Sequence, residues 1–199
     1  MKVDINTKMI TLIGTPLGQS FAARMQNAGY EAAGLNMIYF YTEADNEHLA
    51  DIVNGIRYMN FAGFAVTKPN KVQVLRYLDE LDPLCRKMGA CNTVVKTPEG
   101  KLVGYNTDID GFLYMACRAG ISLSGKKVVI LGSGGASLTA QTAARQGGAA
   151  AVVGVSRFGP DNYDNLSRHA DAEILVNATP VGMYPGNGQS PVDLSVFPV

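Results

Sequence analysis

Gly132-Ser133-Gly134-Gly135 directly follows the apolar run Lys127–Leu131 (KVVIL) and directly precedes a run of small residues, 136–146. A strand that feeds a glycine-rich turn and then a helix is suited to holding a pyrophosphate. Glycine tolerates positive φ and lets anionic oxygens approach the backbone. The first helical turn adds unpaired N–H groups and a partial positive charge. The end of the next apolar run, 151–156, bears on which dinucleotide fits. A site selective for NAD places a carboxylate there for the ribose 2′-hydroxyl. This chain places Ser156 and Arg157 there and has no acid before Asp161. A carboxylate repels a 2′-phosphate whereas a guanidinium pairs with it, so NADP is the expected cofactor.

A second group of polar residues lies upstream. Ser20, Thr67, Lys71, Asn92, Asn106 and Asp108 follow strand-like runs, at the carboxyl ends where open α/β sheets bind ligands. The two histidines, His48 and His169, fall in expected surface helices away from these loops. Lys71 and Asp108 are therefore the best proton-handling pair, and either is a candidate for the formal base.

These residues need a scaffold, and the alternation of strand-like and helix-like segments predicts an α/β protein with parallel strands. Strands are expected at 8–13, 37–41, Phe61–Val66, Lys127–Leu131, 151–156 and 173–176, with a hairpin formed by Thr93–Lys96 and Leu102–Tyr105. Helices are expected at 20–33, capped by Ser20 and stopped by Gly34, and up to residue 59 behind Asn46. Further helices are expected at 72–81 with a second piece to residue 88, then at 108–119, 136–146 and 162–168. The glycine-flanked stretch 120–125 reads as a linker, which divides the chain into residues 1–119 and a Rossmann-type, doubly wound nucleotide-binding part, 120–199.

Composition narrows the class. Of 199 residues, 47% are hydrophobic, and seventeen basic residues balance seventeen acidic ones. That balance gives no electrostatic reason to expect nucleic acid or an anionic membrane as a partner. No run approaches the roughly 20 apolar residues of a membrane helix. Acidic Asp4 interrupts the N-terminus where a signal peptide would be apolar, so a cytoplasmic protein is expected. Cys85, Cys91 and Cys117 show no CxxC spacing and read as reduced thiols, with neither metal nor disulfide needed.

Six segments, 14–20 (GTPLGQS), 66–71 (VTKPNK), 89–93 (GACNT), 104–108 (GYNTD), 132–136 (GSGGA) and 177–183 (NATPVGM), resemble the shikimate dehydrogenase family in order and spacing. The resemblance implies NADP-dependent, reversible oxidation of shikimate to 3-dehydroshikimate in the chorismate route to aromatic amino acids, by a monomer or homodimer. Under it, residues 1–119 bind substrate. Lys71 and Asp108 match the family's catalytic pair, and Ser20, Thr67 and Asn92 match its substrate-binding positions. Gly132, Ser133, Gly134, Gly135, Ala136, Ser156, Arg157 and Thr179 match its cofactor-binding positions. The chain also departs from the family. Ala22 stands where a second serine usually meets the substrate carboxylate, Ala65 replaces an asparagine, Lys68 adds a charge, and the stretch 157–177 is short. Quinate with NAD, or a binding protein without catalysis, are the alternatives those changes suggest. Family members continue with further strands and a helix, so the nucleotide part is expected to be incomplete at its C-terminal end.

Overall fold

The computed structural model describes residues 3–197. The chain divides into two compact units, with Thr107 ending the first and Asp108 opening the second. The first is built on a six-stranded sheet of order β2-β1-β3-β5-β6-β4. Its strands are β1 (Lys8–Gly14), β2 (Met37–Glu43), β3 (Phe61–Val66), β4 (Glu80–Leu81), β5 (Thr93–Lys96) and β6 (Leu102–Tyr105). β1 runs parallel to β2 and β3, as expected. β5 is antiparallel to β6, because a tight turn at Pro98-Glu99-Gly100 can only return the chain in that sense, and it is antiparallel to β3 as well. The sheet is thus mixed rather than parallel throughout.

Helices α1 (Ala22–Ala32), α2 (Leu49–Tyr58) and α3 (Pro83–Met88) complete this unit. Leu49, Val53 and Ile56, at helical spacing on α2, are buried with Ile13, Phe64, Val66 and Leu102 in one core. Neither expected N-cap operates. The Ser20 hydroxyl accepts from Ala22 N at 3.3 Å, leaving Phe21 at the cap position without a side-chain bond. Before α2, Asp45 Oδ1 takes the Glu47 N–H and meets His48 Nδ1, both at 3.0 Å, so a local Asx turn delays the helix to Leu49.

The expected helix at 72–81 is a short 3₁₀ turn, Gln73–Tyr77, followed by β4. Pairing with β6 prevails over helical continuation. Asp79 N donates to Leu102 O, and the Asp79 carboxylate accepts from Leu102 N at 2.7 Å while gripping Arg57 with two bonds. Asp82 then caps α3, accepting from Leu84 N and Cys85 N, with Pro83 at the first helical position.

The second unit contains α4 (Asp108–Arg118), β7 (Lys127–Leu131), α5 (Gly135–Gln146), β8 (Ala151–Val155) and β9 (Ile174–Asn177). Its sheet is parallel, of order β8-β7-β9, with Val128 to Leu131 fully buried at its centre. Phe112 and Leu113 of α4 pack on Ala140, Ala144 and Leu123. That apolar contact places α4 with the second unit, so the packing boundary falls one helix before the linker expected at 120–125. Gly120 and Gly125, at φ +71° and +72°, shape the turns between α4 and β7. The expected helix at 162–168 is a 3₁₀ segment, Tyr163–His169, opened by Asn162 in a capping box with Asn165. His169, expected at the surface, has a side chain only 13% exposed. Among the described residues no helix is long and apolar enough to cross a membrane.

Candidate functional site

The first unit gathers its polar residues at one edge of its sheet, on the loops that follow β1 and β3 and just before the antiparallel β5. The close fit begins at Gly14, the last residue of β1. A Cβ there would strike the Thr67 methyl and lie 2.8 Å from Lys68 O. Without that Cβ, Thr67 N reaches Ile13 O at 2.9 Å and Thr15 N reaches Lys68 O at 3.1 Å. The loops after β1 and β3 are thereby laced together.

Ser20 lies on the loop after β1. Its N–H donates to Leu17 O at 2.9 Å, and its carbonyl accepts from Tyr41 Oη at 2.6 Å. The hydroxyl accepts from Ala22 N, so its own hydrogen remains available to a ligand. Thr67 is half-buried, and its hydroxyl has no protein partner among the described residues. Two unspent hydroxyl donors therefore stand on loops fixed by backbone bonds.

Asn92 lies just before β5, with its carbonyl accepting from Val66 N at 2.8 Å and its N–H donating to Tyr105 O at 3.1 Å. Its Oδ1 accepts from Thr107 N at 3.0 Å, and its Nδ2 donates to Thr107 Oγ1 at 3.1 Å, which fixes the amide plane. Lys71 is half-buried, and its carbonyl accepts from Cys91 N at 2.8 Å. Sequence reasoning passed over Asn70, which is wholly buried, donates to Ala44 O at 2.8 Å and leaves Oδ1 without a partner among the described residues. Its place between Thr67 and Lys71 was the only signal. Asn106 is also buried and donates to Ala90 O at 3.0 Å, a structural bond that holds the turn before Cys91.

Cys85 and Cys91 are fully buried in this unit. Burial pushes both thiols upward, Cys91 to about 12, so neither presents a thiolate for chemistry. Asp108 belongs to the second unit as the first residue of α4, where a carboxylate favours the positive end of the helix dipole.

The second unit has a cleft of about 550 Å³ at the carboxyl edge of its sheet. Gly132, Ser133, Gly134, Ser156, Arg157 and Thr179 all line it. Gly132 has φ +119°, a conformation that strains residues with a side chain, and a Cβ there would sit 3.0 Å from Ala178 O, so the turns after β7 and β9 pass close together. Gly134 caps α5 with no side-chain bond, and added Cβ atoms at Gly134 or Gly135 would meet nothing within 4 Å. The N–H groups of the first helical turn are consequently unobstructed and unspent, as an anion requires. Gly135 and Ala136 are exposed in that first turn but are not among the residues lining the cleft.

Thr179 lines the cleft, yet its hydroxyl donates to Asn177 Oδ1 at 2.7 Å and accepts from Val181 N at 3.2 Å. It shapes the turn and offers less to a ligand than its type suggests. Arg157 is exposed, lies 5.7 Å over the Phe158 ring and has no carboxylate partner among the described residues. No acidic residue lines the cleft. Backbone donors at one end and an unpaired guanidinium at the other fit a dinucleotide bearing a 2′-phosphate. Tyr163, Pro180, Val181 and Pro191 add walls that the sequence did not announce, although two of them belong to the segment 177–183. Among the described residues no cluster of His, Cys, Asp and Glu is placed to hold a metal ion.

Comparison with known proteins agrees with this arrangement. Residues 12–94 match the model of the shikimate dehydrogenase substrate binding domain. A shikimate dehydrogenase (NADP(+)) of Methanococcus maripaludis is 34% identical over 96% of this chain and 74% of its own length. The structure of shikimate 5-dehydrogenase from Thermus thermophilus, in complex with NADP(H) and shikimate, is 31% identical. It superposes with a TM-score of 0.85 over 96% of this chain and 75% of that one. A 5-ketofructose reductase of a Gluconobacter species is also similar, at 30% identity and a TM-score of 0.83, covering 98% of this chain and 77% of that one. On its sequence, its fold and the geometry at its two strand edges, the chain belongs to the shikimate dehydrogenase family.

Proposed function

We propose that this protein catalyses the NADP-dependent, reversible oxidation of shikimate to 3-dehydroshikimate, in the chorismate route, as a cytoplasmic monomer or homodimer. The observation that carries the cofactor assignment is a single cleft lined by the glycine turn and Arg157, without any carboxylate. The substrate assignment comes from the named relatives and from the free hydroxyl donors described at Ser20 and Thr67.

The first unit takes the substrate and the second the cofactor. Ser20 and Thr67 donate to the substrate's carboxylate and hydroxyl oxygens, and Asn92, with its amide plane fixed by Thr107, fixes their orientation. The chemistry supplied by the oxidised nicotinamide is acceptance of the hydride that leaves the carbinol carbon. Lys71 and Asp108 manage the accompanying proton, which departs from the substrate oxygen as the C=O bond forms. Gly132, Ser133 and Gly134 hold the pyrophosphate together with the α5 N–H groups at Gly135 and Ala136, Thr179 shapes the adjoining wall, and Ser156 and Arg157 receive the 2′-phosphate.

The test is absorbance at 340 nm with shikimate and NADP⁺. Shikimate-dependent growth of the reduced-nicotinamide band is expected. A flat trace while calorimetry still registers both ligands would overturn the catalytic assignment. Ala22 favours a second reading on the same machinery, since it withholds one donor from the substrate carboxylate. Losing a bond to a charged group costs about 1.5–3 kcal/mol. A higher kcat/KM for quinate, or for NAD⁺ over NADP⁺, would select that reading.

A further inference from the structure

The loop that carries Arg157, residues 156–161, contains one acid, Asp161. Asp161 is four residues from Arg157 and of opposite charge. If its carboxylate turned toward the guanidinium, the pair would neutralise itself and the cleft would lose its affinity for a 2′-phosphate. It does not turn that way. Asp161 Oδ1 is 2.9 Å from His169 Nε2, at the far end of the 3₁₀ segment. A carboxylate can only accept, so His169 is in the Nε2–H form.

The loop backbone is held independently of that contact. Ser156 N donates to Asp161 O at 3.1 Å, Asn162 Nδ2 to Gly159 O at 3.3 Å, and Asn165 Nδ2 to Pro160 O at 2.9 Å. The Asp161–His169 bond therefore adds little to loop closure and decides instead where one negative charge points. His169 is a poor choice as mere filling. Its Nδ1 is buried and has no partner among the described residues, a penalty that an apolar ring would avoid.

We infer that His169 is a specificity-determining positioning residue, which binds the Asp161 carboxylate and so keeps Arg157 free for the 2′-phosphate. This rests on the NADP reading of the cleft and deepens it. The sequence hid the relation because His169 follows Asp161 by eight residues, across a segment whose helical type was itself unexpected.

Calorimetric binding of NADP⁺ and NAD⁺, which differ only in the 2′-phosphate, tests the inference without requiring turnover. Wild-type protein is expected to prefer NADP⁺, and equal affinities would refute the cofactor reading itself. Given that preference, His169→Phe should weaken NADP⁺ about tenfold and NAD⁺ less than about twofold. Adding Asp161→Ala to that variant should restore the preference, because no carboxylate then competes for Arg157. His169→Gln, whose amide nitrogen can reach the same oxygen, should behave as wild type. Equal losses for both nucleotides, or no restoration by Asp161→Ala, would overturn the role assigned to His169. Should His169→Phe fail to fold, Asp161→Ala alone still decides. It should hold or raise the NADP⁺ preference, and a fall would overturn the inference.

Discussion

In the proposed function Arg157 is the side chain on which the choice of nucleotide turns, and its neighbours make that choice testable. It is exposed, stacked beside Phe158 and unpaired with any acid among the described residues, so its removal leaves no buried charge behind. Arg157→Ala should raise the KM for NADP⁺ about 10- to 100-fold, the equivalent of one or two charge-assisted bonds. NAD⁺ should be affected several-fold at most. Equal losses with both would remove the argument for a 2′-phosphate contact. The same scale yields a prediction for the thiols. Cys85 and Cys91 are buried with upward-shifted ionisation, whereas Cys117 is exposed on α4. Titration with a disulfide reagent near pH 8 should find one reactive thiol in the folded protein and three after denaturation. Three from the outset would mean that the core around Cys91 opens readily. Arg157 and the free thiols were legible in the sequence because type and spacing sufficed. The engagement of Thr179 by its own turn, the orphaned oxygen of Asn70 and the Asp161–His169 contact were not, since each depends on where a side chain points.

Elements were legible where local pattern and tertiary demand agree. The bounds of β3, β5, β6 and β7 coincide with the sequence reading because short, largely apolar runs end at turn or polar residues. Reading failed at 72–81, where apolar residues at helical spacing are drawn into a 3₁₀ turn and a strand by Arg57, Asp79 and Leu102. Helical starts at Ser20 and Asn46 failed for a related reason, as nearby side chains took the local N–H groups first. Gly14 shows how long-range packing escapes a linear reading. It reads as the end of a strand, yet its missing Cβ is what lets Thr67 and Lys68 close over it. Gly14→Ala should therefore separate the loops that carry Ser20 and Thr67. A loss of about 1–3 kcal/mol in stability is expected from such overpacking, with a rise in shikimate KM larger than any fall in NADP⁺ affinity. Unchanged shikimate KM and stability would show that the two loops are not coupled through this contact.

At the scale of the whole chain, opposite charges balance at pH 7, and the shifted ionisations described below favour the middle of the pH range. Arg57 holds the Asp79 carboxyl below its ordinary range through two hydrogen bonds, with Leu102 N–H adding to the effect. Lys127 does the same for Asp171, and Lys126 for Glu173. For each, the unfolded carboxylate takes up a proton more readily than the folded one. Their stabilisation is fully present above the unfolded values near 4, and it fades as pH falls through the lower folded ones. Because Asp79 is 37% exposed, solvent screening limits that pair to about 1 kcal/mol or less. On the alkaline side the sign is reversed. Burial raises Tyr39 and Cys91 to about 12, so the unfolded chain loses those protons first and stability declines from about pH 9 upward. The urea midpoint should accordingly form a plateau between about pH 5 and 8, falling on both sides. Asp79→Asn should lower the plateau and flatten its acid edge, while leaving the alkaline decline unchanged. An acid edge of the same depth in that variant would show that the Arg57–Asp79 pair, for all its short bonds, is solvated too well to govern the fold's response to acid.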